Sequence, residues 1–264
     1  MYPILNVAIH STKIAGKIII KYYNNYCYKK RTKQENKIFV NKIENEVKKT
    51  ITHTIHKFYP QHIVIDSKKI INVKNKIYWY INPINGKNNF IKNFPYFTIS
   101  ISVHINNKTE IAVIYEPICN ELFTCMRGKG AQLNGYRIRT NITRNLHESS
   151  LSINLFLQKK KCFLNYINII TKLFLIKNIT EFRCIGSPIL ELAYVAAGRI
   201  DGFIQINHNP RNCSGAILLI QESGGLVTDF DGKKNYLFSG NIIAGNPHIV
   251  QSILSIINKK YTNI

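Results

Sequence analysis

The chain reads as an α/β protein: a layered sandwich of two joined domains, with an α+β half over about 1–145 and a smaller α/β half over about 146–264. Long stretches with apolar residues at helical spacing open the chain, and short β-rich segments separated by turn residues follow. Beyond residue 145, strand-like and helix-like segments alternate.

Each element rests on a local pattern. Ile4, Leu5, Ala8, Ile9, Thr12, Ala15 and Ile19 form a helical stripe within residues 1–23. The segment Tyr23–Lys37 is polar and basic, and is expected to be a mobile loop with a solvated Lys29–Lys37 run. A second helix is expected over Asn41–Tyr59, with Ile43, Val47, Ile51, Ile55 and Phe58 on one face and Pro60 ending it. Strands are expected at His62–Ile65, Ile77–Ile81, Phe97–Ile105, Thr109–Tyr115 and Glu121–Arg127, with Asn106-Asn107 and Asn134-Gly135 as turn pairs. The second half should place strands at Ser149–Leu155, Glu181–Cys184, Gly202–Ile206 and Leu226–Asp229. Helices should lie at Cys162–Leu175, Pro188–Ala197, Ser214–Glu222 and Pro247–Asn258.

Composition excludes several classes. At 264 residues and 45% hydrophobic content the chain can bury a real core, so it is not intrinsically disordered. No run approaches the length of a membrane span, and residues 1–20 lack the basic start and cleavage site of a secretory signal. The six cysteines (27, 119, 125, 162, 184, 213) form no CxxC or Cys/His cluster, which points to free thiols in a reducing, cytoplasmic compartment. The eight histidines show no metal-ligand spacing, no GxSxG elbow exists, and no Walker loop or RNA-binding motif is present.

The net charge of +22 has two readings. It suits an anionic partner such as nucleic acid. It also suits mutational drift, because 46 Ile, 31 Asn and 28 Lys against 8 Arg and 4 Asp is the usage of A/T-rich codons.

The segments with chemical content are Trp79-Tyr80-Ile81-Asn82-Pro83-Ile84-Asn85-Gly86-Lys87-Asn88-Asn89-Phe90, then Asn209-Pro210-Arg211-Asn212-Cys213-Ser214-Gly215-Ala216, and Glu222-Ser223-Gly224-Gly225. They resemble the signatures W-x-x-D-P-[IL]-D-G-T-x-N-F, W-D-x-A-A-G and E-[AS]-G-G of the inositol monophosphatase family. Tyr59–His62, Asn120–Thr124, Gly130–Arg137, Leu192–Arg199, Asp201–Phe203 and Gly240–Pro247 extend the resemblance nearly end to end. It implies a layered αβαβα sandwich, a homodimer, and Mg²⁺-dependent hydrolysis of a phosphate monoester. Hard Mg²⁺ ions need anionic oxygens there, and they activate a water and neutralise phosphoryl charge.

This sequence departs from the family where the carboxylates should be. The aspartates of D-P-I-D-G fall on Asn82 and Asn85, with Ile84 also among the metal positions, and the aspartate of W-D falls on Asn212. The ligand glutamate of the family's G-E-E-S element falls on Ser67, the threonine of D-G-T on Lys87, and the acid that contacts inositol hydroxyls on Gln205. Glu44 survives in place of a family aspartate. Gly86, Lys87 and Asn88 are the phosphate-loop positions. Gly86 is either a tight-turn glycine or part of a retained phosphate cradle whose charge Lys87 supplies. Losing even an outer-sphere partner typically costs ~10–100-fold in metal affinity or activity, so four lost ligands should compound to ~10⁴-fold or more.

The resemblance is closest to a bacterial branch that works in ribosomal RNA transcription antitermination and ribosome biogenesis with Nus factors and RNA polymerase. It implies a scaffold that needs no turnover, contacts ribosomal RNA, and takes no cofactor at physiological metal. The alternatives are a weak Mg²⁺-dependent inositol-1-monophosphatase and a folded remnant without function.

Overall fold

The computed structural model describes residues 1–26, 32–66, 76–154, 160–177, 179, 181–206 and 213–258. Contacts divide the chain into two compact units: residues 1–137 with 186–190 and 211–219, and residues 138–185 with 191–210 and 220–264.

The first unit opens with α1 (Tyr2–Tyr26) and α2 (Lys33–Phe58), which pack on one another. Val7, Ala8, Ala15, Ile19 and Tyr23 form the buried stripe of α1. The buried hydroxyls of Ser11 and Thr12 donate back to the carbonyls of Val7 and Ala8, so they are satisfied inside the helix. Gly16 lacks the Cβ that would collide with the Tyr115 ring, so α1 can lie close against it.

Helix α2 begins eight residues before the expected Asn41 start, and Lys33–Lys37 are its first turns rather than loop. Thr32 and Glu35 form a capping box: the Thr32 hydroxyl accepts from the Glu35 amide, and the Glu35 carboxylate accepts from the Thr32 amide at 2.7 Å. That reciprocal pair satisfies helix-end donors and outweighs the basic composition that suggests a loop. Residues 27–31 of the expected loop lie outside the described residues.

A sheet of seven strands follows in the order of the chain: β1 (Ile63–Asp66), β2 (Ile77–Asn85), β3 (Thr98–Ile105), β4 (Lys108–Glu116), β5 (Glu121–Met126), β6 (Gly130–Leu133) and β7 (Tyr136–Ile138). β1 and β2 run parallel, and β2 through β6 pair antiparallel. Helix α1 covers β3 and β4, and α2 covers β2. The core between them includes Ile43, Val47, Ile51, Trp79, Ile81, Ile101 and Val113. Asn106 and Asn107 (φ 51° and 63°) and Asn134 and Gly135 (φ 50° and 86°) adopt the left-handed conformation, as tight hairpin turns require.

β2 runs beyond the expected Ile81. Its register against β3 shifts between Asn82 and Asn85, around Pro83, which cannot donate to the ladder. Helix α3 (Lys87–Ile91) follows at once.

The second unit carries a sheet of five strands in the order β11-β12-β10-β8-β9, from β8 (Ser150–Asn154), β9 (Glu181–Arg183), β10 (Gly202–Gln205), β11 (Leu226–Thr228) and β12 (Ile242–Gly245). β10 pairs parallel with β8 and antiparallel with β12. Helices α4 (Lys160–Lys177), α7 (Tyr236–Ser239) and α8 (Pro247–Asn258) belong here, while α5 (Pro188–Ala196) and α6 (Ser214–Glu222) contribute residues to both units. α8 packs on β11, β12 and α4 around Leu151, Ile204, Ile243, Ile249 and Ile253. The buried Asp201 carboxylate accepts from Asn141 Nδ2 and the Ser150 amide, and Asn246 Nδ2 donates to the carbonyls of Asn141 and Thr143. These bonds tie the segment before β8 to the unit's sheet.

β6, β7, β12, α3 and α7 have no counterpart in the sequence reading, because segments this short show no period. Among the described residues, no helix is long and apolar enough to cross a membrane.

Candidate functional site

In the first unit Asn82, Ile84, Asn85, Gly86, Lys87 and Asn88 follow one another where β2 ends and α3 begins. Asn82, Ile84 and Asn85 close β2, Gly86 caps α3, and Lys87 and Asn88 are the first residues of that helix. Asn82 is buried on the strand, and Ile84 is 1% exposed within the core. Gly86 is left-handed (φ 88°), and a Cβ there would meet the Tyr96 carbonyl oxygen at 2.7 Å, so glycine is required for both conformation and space. Asn89 Nδ2 donates to that same carbonyl at 2.7 Å, which locks the turn against the strand that follows.

The Asn85 side chain acts as an acceptor. Its Oδ1 receives the Ser187 hydroxyl and the Ile189 amide, each at 3.1 Å. These groups sit at the start of α5, so Asn85 satisfies a helix N-terminal donor. Sequence reasoning does not reach this role, although Ser187-Pro188 is itself a helix-start signal.

Glu44 comes to the same place from α2. Lys87 Nζ donates to Glu44 Oε2 at 2.6 Å, with the lysine side chain 39% exposed and the glutamate 16%. Glu44 thus has an ammonium as its counter-ion.

Ser67 and Asn212 lie outside the described residues. Gln205 ends β10 in the second unit, opposite Asn154 in the parallel pairing. It is 2% exposed, and among the described residues its Oε1 has no hydrogen-bond partner. Beside it, Asn154 Nδ2 donates to Glu191 Oε2, while Glu191 Oε1 accepts from the Ile185 amide.

The described donor set does not fit a Mg²⁺ ion, which takes hard anionic oxygens. Asn82 and Asn85 offer uncharged amide oxygens, Asn85 Oδ1 already accepts two hydrogen bonds, and the Glu44 carboxylate is neutralised by Lys87.

A polar cluster that the sequence reading passes over lies deeper in the first unit. His104 Nε2, Ser102 Oγ and Ser214 Oγ are mutually 3.0–3.2 Å apart, and Thr109 Oγ1 approaches His104 Nδ1 at 3.4 Å. Tyr78 stacks on the imidazole and Tyr80 meets it edge-on. Burial, aided by the Arg127 charge, lowers the His104 pKa to about 4, so the ring is neutral at pH 7.

Fold and site together define the class: residues 1–261 match the inositol monophosphatase family, and the chain belongs to it. Within that family, the chain is 42% identical over 257 residues to the Nus factor SuhB of Escherichia coli strain K12, spanning 97% of this chain and 96% of that protein. It is 39% identical to the Nus factor SuhB of Buchnera aphidicola subsp. Acyrthosiphon pisum, over 98% and 97% of the two chains. Among solved structures it resembles the extragenic suppressor protein suhB of Bartonella henselae, with a TM-score of 0.85, 28% identity and coverage of 97% and 100%. It also resembles the Thermotoga maritima IMPase, with a TM-score of 0.81, 27% identity and coverage of 97% and 96%. The mixed α/β fold with two sheets is the one these structures share.

Proposed function

We propose that this chain is a Nus-type scaffold in ribosomal RNA transcription antitermination, serving ribosome biogenesis in the cytoplasm, and that its phosphatase chemistry is lost. The relatives named Nus factor SuhB support the role, and their similarity runs along the whole chain. The observation that carries the loss of chemistry is the Lys87–Glu44 pair: an ammonium 2.6 Å from the surviving carboxylate stands against a divalent cation there.

On this reading Glu44, Ser67, Asn82, Ile84, Asn85 and Asn212 are the remains of a metal cluster, and Gly86, Lys87, Asn88 and Gln205 the remains of a substrate pocket. The fold persists without ligand charge because its stability comes from packing, and a scaffold needs only its surface. The partners are RNA polymerase, Nus factors and ribosomal RNA, and the working form is a homodimer.

A pull-down of this protein against NusA-type factors and RNA polymerase, run beside a phosphatase assay with Mg²⁺ and inositol phosphate, tests the proposal. Retention of the partners without hydrolysis is expected. Hydrolysis at an ordinary enzyme rate, ~1–10³ per second, would restore the phosphatase reading.

A further inference from the structure

Around the segment that joins β7 to β8 the charged cations are all of one type. Residues 130–158 hold Arg137, Arg139 and Arg144 but no lysine, in a chain with 28 lysines and 8 arginines. Drift toward A/T-rich codons favours lysine, so this stretch runs against the composition of the rest. No acid occurs between Glu121 and Glu148. A guanidinium is a planar fork of donors and an ammonium is not, so the residue type matters where a two-oxygen acceptor is met.

The second unit holds the segment in place. The Thr140 amide donates to the Ser223 carbonyl at 3.1 Å, and Asn141 Nδ2 donates to the buried Asp201 carboxylate at 2.8 Å. Asn246 Nδ2 donates to the carbonyls of Asn141 and Thr143, at 3.0 and 2.7 Å. One amide nitrogen thus fixes the residues on both sides of Ile142, whose own side chain stands out from the surface, 88% exposed. An apolar side chain on a backbone already pinned gives up little conformational freedom when a partner covers it.

Arginines surround that side chain. Arg139 and Arg144 flank it along the segment; both are exposed, and neither makes an ion pair among the described residues. Exposed Arg199 comes from the turn after α5, where Gly198 is left-handed (φ 71°). A Cβ at Gly198 would lie 3.0 Å from the Arg139 carbonyl oxygen and 3.3 Å from the Asn141 amide nitrogen, so the turn abuts the segment. The Arg199 guanidinium lies over the Tyr194 ring, 5.1 Å from its centroid. Guanidinium groups around an aliphatic side chain complement carboxylates around an apolar one: the forks take carboxylates bidentately, and Ile142 gains by leaving water. A nucleic-acid strand would want a ring for its bases to stack on, and Ile142 offers none.

We propose that the face formed by Arg139, Ile142, Arg144 and Arg199 is a docking site for an acidic protein segment that carries carboxylates on either side of an apolar side chain. The proposal goes beyond the antitermination reading. It concerns a surface of the second unit alone and does not depend on which assembly the whole chain joins.

The test is fluorescence anisotropy with a labelled peptide of four glutamates on each side of one leucine, titrated with the whole chain at low and high salt. Saturable binding that weakens as salt rises is expected. The joint Arg139→Gln, Arg144→Gln, Arg199→Gln variant should bind about tenfold more weakly and lose most of the salt dependence. The matching lysine substitutions keep the charge but lose the fork, and should cost about threefold. Ile142→Ser should cost about tenfold with the salt dependence unchanged, and a peptide with serine for leucine should lose nothing further against that variant. Removing the same charge at exposed Lys13, Lys17 and Lys21 of α1 should cost less than about twofold. Thermal melting should be alike for all these variants, since each altered side chain is exposed. An equal loss in the α1 control, undiminished binding after the arginine or Ile142 substitutions, or absence of binding by the unaltered protein would each overturn the proposal. So would a labelled single-stranded RNA that binds more tightly than the peptide and is lost with the same three arginines.

Discussion

Lys87 and Glu44, 43 residues apart in sequence, meet at 2.6 Å between the first turn of α3 and the middle of α2. The pair gives the Glu44 carboxylate of α2 a counter-ion supplied by the chain itself. Its lysine end is 39% exposed, so solvent screens the pair and its contribution to stability is modest.

Substituting Lys87→Met should therefore destabilise the protein by no more than about 1 kcal/mol once solvent screening is allowed for. Urea unfolding at low and high salt measures this, and the difference from the unaltered protein should shrink as salt rises.

Restoring the acids should restore chemistry. The joint Asn82→Asp, Asn85→Asp, Asn212→Asp, Ser67→Glu and Lys87→Thr variant is expected to show low but measurable Mg²⁺-dependent phosphatase activity, where the unaltered protein shows none. Gln205 should limit recovery with inositol phosphate more than with simpler esters. A release assay for inorganic phosphate, with and without Mg²⁺, decides the matter.

Asn85 has a structural duty apart from any metal. Asn85→Asp keeps an acceptor for Ser187 and Ile189 and should leave stability within about 0.5 kcal/mol. Asn85→Ala strands those donors at the start of α5 and should cost about 1–2 kcal/mol. Chemical denaturation of the two variants separates the roles, and amide exchange at Ile189 should quicken in the second alone.

Acid should weaken the fold through His104. Its folded pKa of about 4 is depressed below the ordinary 6.5, so the unfolded chain takes up a proton first as pH falls. The stability from this group is complete above pH ~6.5 and is lost as pH falls toward 4, a change of about 3 kcal/mol. His62, also lowered by burial, acts in the same direction, whereas the buried Glu116, raised by burial, acts in the opposite one. Comparing His104→Gln with the unaltered protein between pH 7 and 4 cancels those contributions, and the variant's stability should vary less with pH.

The sequence by itself determined the α/β class, the family, and α6 and α8 at their observed limits. All of these are local: a periodic stripe, a turn pair, or a motif of a dozen contiguous residues carries its meaning without a partner. The earlier start of α2 is legible in Thr32-x-x-Glu35, whose capping chemistry outweighs the basic composition around it. Only the tertiary structure decided what depends on distant pairing. It joined Lys87 to Glu44, made Asn85 the acceptor at the head of α5, and set β12 between β10 and β11 against chain order. It also buried His104 beside Ser214, 110 residues further along. Side-chain type limits which partners are chemically acceptable, but packing the strands and helices chooses among them, and that choice is written in no single stretch of the chain.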